Sequence, residues 1–427
     1  MNPVNLAPDY AAHPMLDPGH LQRDQIGARG LMRMYLNMSR DQESHNRHLN
    51  RLLNPIEAPQ TLRENLEAAR RYFVDTNAYL HEVVQLLGAP ARKSLAMDPE
   101  VAATNEMLGL LDLSFRGDTP RVRFEAQRKL YLAKLLFDID HDPGIQNGPE
   151  HKAYFENILD RELWVHASRM KPVDIYYDIG ADGVSMEINT RKTAPNQERW
   201  RFYLMRLRRT ARRRKPIHVY HYACRFKREV APFAYKEGAA QYEVHEKPIW
   251  EHLHERRSGS VLSKMIRKGE VHPRKIQDII GAMFIVKDER EVGALQEVLF
   301  DVFGGPLRWK DRVNTIGHPE ERARLHPQSG RGYEVLKSDV DVLHTPAEGE
   351  GEQYIFSVEV QIYTVEGYLR TVHSGHYANH QAMKLRQFLE GLLPPLFPVG
   401  IYGREAIERC MEDVSVATPR DVLAQPA

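Results

Sequence analysis

Only two cysteines occur in 427 residues, Cys224 and Cys410, and they stand far apart in the chain. They imply no disulfide framework, so the fold must rest on packing, and a reducing, cytoplasmic setting is expected. No apolar run approaches the ~20 residues that a membrane span requires, so neither a membrane segment nor a membrane partner is expected. The opening Met1-Asn2-Pro3-Val4-Asn5-Leu6 lacks a basic stretch leading into an apolar one, so no signal peptide is expected. Net charge is also missing: 59 Lys and Arg against 58 Asp and Glu leave +1. The total therefore argues neither for nor against nucleic acid, and the placement of charge matters more. Neither a Gly-x-x-x-x-Gly-Lys-Ser/Thr loop nor a Gly-x-Gly-x-x-Gly turn between a strand and a helix occurs, which removes two common nucleotide folds. Internal repeats and low-complexity tracts are absent too.

What is present is enough chain for two domains, possibly three. The periodicity predicts an α+β protein with a helical N-terminal domain over 1–170, a mixed sheet flanked by helices over 171–400, and a C-terminal helix and tail over 401–427. Helices are expected near 20–53, 59–88, 98–115, 121–138 and 149–169, separated by Pro and Gly breaks. A hairpin is expected around Gly180–Gly183. A helix is expected from Asn196 to Arg214, with Trp200, Tyr203, Leu204 and Leu207 on its apolar face. Strands follow near 217–227, 279–286, 333–342 and 354–363, with helices at 258–268, 288–302 and 366–391.

Two of these strand-like runs carry the chemistry. Asp278 leads into Ile279-Ile280-Gly281-Ala282-Met283-Phe284-Ile285-Val286, and Glu359 stands inside Phe356-Ser357-Val358-Glu359-Val360-Gln361-Ile362. A carboxylate buried in an apolar strand loses hydration worth several kcal/mol unless a cation faces it. Two such strands side by side suit Mg²⁺ held against phosphates. Half-buried strands with solvent-facing acids would give the same pattern.

The neighbours of these strands fall in a fixed order. Arg225-Phe226-Lys227 ends a strand, and a short helix carries Ser260 and Lys264. Asp278-Ile279-Ile280-Gly281 follows, then Gly332-Tyr333 with Lys337, then Glu359-Val360-Gln361-Ile362-Tyr363-Thr364, and His376 comes later. In this order, over roughly 215–385, the chain resembles the synthetase domain of the RelA/SpoT alarmone family. The resemblance implies a nucleotidyltransferase-like fold and Mg²⁺-dependent transfer of the β,γ-diphosphate of ATP to the 3′-hydroxyl of GDP or GTP. It further implies that Asp278 and Glu359 are the catalytic pair and the metal ligands, with Glu359 sharing the metal or taking the hydroxyl proton. Arg225, Lys227, Ser260 and Lys264 would line the ATP site, Tyr333 would stack on the acceptor base, and Lys337, Gln361 and His376 would complete the nucleotide contacts.

The chain departs from the family pattern at two cations. Met283 stands where the family has an Arg two residues after the Asp-Ile-x-Gly glycine, and Tyr363 replaces the Arg of Glu-x-Gln-Ile-Arg-Thr. Arg is the side chain suited to bidentate phosphate binding, so these changes bear on the acceptor. Two other readings therefore stand beside guanine-nucleotide synthesis. One is a toxin-type transfer to the 3′ end of tRNA, with RNA contact through the Arg-rich segment 199–215. The other is a domain that binds nucleotide without catalysis. Two further clusters are not read as metal centres: Asp138-Ile139-Asp140-His141-Asp142 reads as a loop of solvated acids, and His373, His376 and His380 share one helical face without a full metal-ligand set.

Overall fold

The computed structural model describes residues 35–54, 58–85, 87, 89–180, 185–208, 215–229, 258–317, 333–346, 352–373 and 380–417. These form two compact units, and both draw on distant parts of the chain. The architecture is α+β. Among the described residues no helix is long and apolar enough to cross a membrane.

The helical unit takes residues 35–141, Val261–Pro273 and 388–417. Helix Leu62–Gln85 begins at a capping box: Thr61 Oγ1 accepts from Glu64 N at 3.4 Å, and Glu64 Oε2 accepts from Thr61 N at 2.8 Å. Its buried face carries Tyr72, Phe73, Tyr79, Leu80, Val83 and Val84 at helical spacing. Helix Pro120–His141 is enclosed along most of its length, even at Glu125, Arg128 and Lys129. Arg128 donates to Leu396 O at 2.6 Å and to the Tyr402 hydroxyl at 2.8 Å, which fastens the C-terminal residues to this helix. Lys129 Nζ donates to Val101 O at 2.9 Å and Thr104 O at 2.7 Å, so both buried cations have acceptors.

The sheet unit takes 142–260 and 274–387. Among the described residues its eight strands are β1 Lys171–Ile179, β2 Met186–Asn189, β3 Glu198–Leu207, β4 Ile217–Phe226, β5 Ile280–Val286, β6 Trp309–Asn314, β7 Leu336–His344 and β8 Tyr354–Thr364, ordered β2-β1-β3-β4-β5-β8-β7-β6. Only β5 and β8 run parallel; every other pair is antiparallel. One face buries Val219, Ala282, Phe284, Val340, Val358 and Val360 against Phe155, Leu159, Leu295 and Leu299 of helices Gly148–Glu162 and Glu289–Val302. Each such Leu or Phe contributes about 1.5–3 kcal/mol of burial. On the opposite face Trp200, Phe202, Tyr363, Tyr368 and Leu369 pack together beside helix Val365–Val372. Glycine is required at residue 148, because a Cβ there would stand 2.1 Å from the Phe226 ring.

Several sequence expectations are corrected. The two compact units have other boundaries than 170 and 400. Helix Gly148–Glu162 belongs with the sheet because Phe155 and Leu159 enter its core, while 388–417 return to the helical unit. The expected helix 196–214 is strand β3 over its described part: Trp200 and Phe202 are buried while Arg199, Arg201 and Tyr203 are exposed, a two-residue period. Strand β6 was not expected, and the expected helix 366–391 is broken into Val365–Val372, His380–Gln387 and the π-helical turn Phe388–Leu392. Asp140 and His141 end a helix rather than a loop, and Asp140 is buried, accepting from Tyr72 at 3.2 Å. His373 caps helix Val365–Val372 instead of lying within it; its Nε2 lies 3.6 Å from Glu198 and 3.7 Å from Asp178.

Candidate active site

On the face of the sheet away from the two covering helices, registration across four strands builds one row. Arg225 on β4 pairs with Gly281 on β5, Gly281 with Glu359 on β8, and Glu359 with Asp339 on β7. The next row is Ala223, Met283, Gln361 and Lys337. Side chains paired in register project to the same side of a sheet, so these two rows place a cation, two acids, an amide and a second cation within one patch.

Asp278 joins this patch from the turn Gln277–Ile279 immediately before β5, and is 8% exposed. Glu359, in the middle of β8, is 3% exposed. Lys227, in the turn that ends β4, bridges them: its Nζ donates to Asp278 Oδ2 at 2.8 Å and lies 3.6 Å from Glu359 Oε1. The Lys227 stem passes over Gly281, its Cε 3.5 Å from where a Cβ on residue 281 would stand, an ordinary van der Waals contact. Glu359 is held from other sides as well. Lys337 pairs with its Oε2, and Gln361 Nε2 donates to its Oε1 at 2.7 Å. The chain of hydrogen bonds continues outward, with the Tyr363 hydroxyl donating to Gln361 Oε1 at 3.2 Å and lying 3.1 Å from the Tyr333 hydroxyl.

The electrostatics follow from this crowding. Burial opposes the charge on Lys227, but Asp278 and Glu359 outweigh it and hold its pKa above the ordinary lysine value. Lys337 is raised in the same way, with Glu359 overcoming its burial. Burial also raises the pKa of the Tyr333 hydroxyl. Asp339, 7% exposed, has its pKa pushed up to about 6, first by burial and then by the neighbouring Glu359.

Asp278, Glu359, Lys227, Lys337, Gln361 and Tyr333 therefore come together, and Arg225 shares the row of Glu359. Ser260 and Lys264 lie half-buried on helix Gly259–Lys268, whose C-terminal part belongs to the helical unit. His376, Gly330–Gly332, Arg209–Arg214 and the interruption at 230–257 lie outside the described residues. Of the two departures, Met283 sits beside Gln361 and packs toward the apolar cluster of Tyr363 and Tyr368, while the Tyr363 hydroxyl links Tyr333 to Gln361. Sequence reasoning missed Asp339. Its signal was the alternation Lys337-Ser338-Asp339-Val340, which needed the register with Glu359 to be read as part of a site.

Among the described residues no group of three or more His, Cys, Asp or Glu side chains is arranged to hold a metal by itself. Two hard carboxylates within reach of one ammonium are nevertheless the donor set Mg²⁺ uses when phosphates and water supply its remaining ligands.

No protein-family model matches the sequence, and no curated protein matches it. Among solved structures the chain is similar to small alarmone synthetase 1 from Bacillus subtilis bound to its product pppGpp, at 19% identity over 37% of this chain and 70% of that one, with a TM-score of 0.22. It is also similar to a GTP pyrophosphokinase family protein from Streptococcus pneumoniae, at 16% identity over 39% of this chain and 75% of that one, with a TM-score of 0.22.

Proposed function

We propose that this chain is a Mg²⁺-dependent pyrophosphate transferase that moves the β,γ-diphosphate of ATP to the 3′-hydroxyl of a guanine nucleotide on a nucleotidyltransferase-like sheet. The observation that carries the reading is the convergence of buried Asp278 and Glu359 on one ammonium, in a patch that also holds Lys337, Gln361 and Tyr333. In the reaction the acceptor oxygen bonds to the β-phosphorus, the α–β anhydride bond breaks, AMP leaves, and the hydroxyl proton passes to a base.

The metal would be held by Asp278 and Glu359 and would supply charge neutralisation across the phosphates. Lys227, Lys337 and Arg225 would offset the remaining polyphosphate charge from fixed positions, which costs no reorganisation when the bond forms. Glu359 would accept the hydroxyl proton, and the amide of Gln361 orients its carboxylate for that role. The ring of Tyr333, with its hydroxyl engaged by Tyr363, would present a face for the acceptor base.

A guanine nucleotide is preferred over a tRNA end because two of the three arginines of β3 are already engaged. Arg199 and Arg201 both pair with Asp174, at 3.0 and 2.8 Å. Release of AMP from ATP that requires added GDP or GTP tests the reading. AMP release dependent on tRNA alone would replace the acceptor, and no release with any acceptor would leave a binding domain.

A further inference from the structure

The position of Lys227 has a consequence for how the site loads. An ammonium bonded to Asp278 Oδ2 and within 3.6 Å of Glu359 Oε1 uses the same two carboxylates that the metal requires. Both acids are more than nine-tenths buried, and Lys337 also pairs with Glu359, so withdrawing Lys227 would leave two buried carboxylates with one positive charge fewer, at a desolvation cost of several kcal/mol. The geometry for this bridge is built in. Lys227 leaves β4 in a short turn, and its stem passes over Gly281 in van der Waals range.

Resting on the reading of this site as a Mg²⁺–nucleotide centre, we propose that Lys227 is a tethered counter-ion that competes with the divalent metal for Asp278 and Glu359. Metal alone must displace the ammonium and leave it without its carboxylate partners, so metal alone binds weakly. Metal arriving with a nucleoside triphosphate gives Lys227 a new partner, because the released ammonium can turn to the phosphates. Metal and triphosphate therefore bind with positive coupling, and the ammonium keeps the carboxylate pair assembled between turnovers.

The test is Mn²⁺ binding to the full chain, followed by the electron paramagnetic resonance of free Mn²⁺, with and without a non-hydrolysable ATP analogue. Lys227→Met should bind Mn²⁺ alone at least tenfold more tightly than the wild type, and adding Asp278→Asn to that variant should remove the gain. Coupling to the analogue should be correspondingly weaker in Lys227→Met. Equal Mn²⁺ affinity of the wild type and Lys227→Met, in proteins that do bind Mn²⁺ with the analogue, overturns the competition and leaves the metal site standing. Absence of Mn²⁺ binding in every variant even with the analogue overturns the metal site and the competition together. Should Lys227→Met not fold, amine-reactive labelling of the wild type read by mass spectrometry decides. Lys227 should react slowly in metal-free protein and several-fold faster in saturating Mn²⁺ without nucleotide, and an unchanged or slower rate overturns the proposal.

Discussion

Replacing Asp339 by Asn should stabilise the metal-free protein at neutral pH. Asp339 is 7% exposed, and burial together with Glu359 pushes its pKa up to about 6, against 3.8 for the free side chain. For an acid raised on folding, the unfolded chain loses its proton first, so ionisation costs the folded state. That cost is absent below pH ~4, grows between about 4 and 6, and is complete above 6. At about 1.4 kcal/mol per pKa unit, the shift amounts to roughly 2–3 kcal/mol at pH 7. Asn keeps the shape and removes the charge, so the gain at pH 7 should be of that order and should vanish near pH 3.5. Urea unfolding in a chelating buffer, followed by tryptophan fluorescence, reports on the relevant transition, because three of the four tryptophans, Trp164, Trp200 and Trp309, belong to the sheet unit. A gain of equal size at pH 3.5 and pH 7, or a loss at pH 7, would refute the account of Asp339 as a buried charge facing Glu359.

Three more outcomes are expected. Glu359→Gln should lower turnover by roughly 10²–10⁴-fold, the range for losing a general base, while urea unfolding shows an intact sheet unit. Tyr333→Ala should raise the acceptor KM by roughly 5- to 150-fold, as expected for about 1–3 kcal/mol of lost base stacking, with the KM for ATP little changed; equal effects on both substrates would move the ring away from the acceptor. Neutralising Arg208, Arg209, Arg212 and Arg213 together should leave transfer to GDP or GTP nearly unchanged, whereas a large, salt-sensitive loss confined to tRNA would favour the tRNA acceptor.

Much of the site could be read from the sequence because its key residues interrupt strong patterns. Asp278 and Glu359 stand out against continuous apolar runs, and both runs became adjacent strands, β5 and β8. The polar residues that support them were harder. Lys337 and Gln361 were placed by resemblance, and only strand register brings them to one row. Asp339 carried no such signal, and only the register that pairs it with Glu359, 20 residues later, brings it into the patch. Strand β3 was misread because Trp200, Tyr203, Leu204 and Leu207 satisfy the helical period as well as Trp200 and Phe202 satisfy the strand period. The division into units was not legible at all. Helix Gly148–Glu162 continues the helical rhythm of the first 141 residues, and only its packing of Phe155 and Leu159 assigns it to the sheet.

The central claim is that Asp278 and Glu359 serve one transfer reaction. Incubating the full chain with γ-labelled ATP, Mg²⁺ and either GDP, GTP or bulk tRNA, then separating the products, measures it directly. The account predicts label on the guanine nucleotide, dependent on Mg²⁺ and lost in both Asp278→Asn and Glu359→Gln. Label on no acceptor, or transfer to GDP or GTP that survives either substitution, would contradict it.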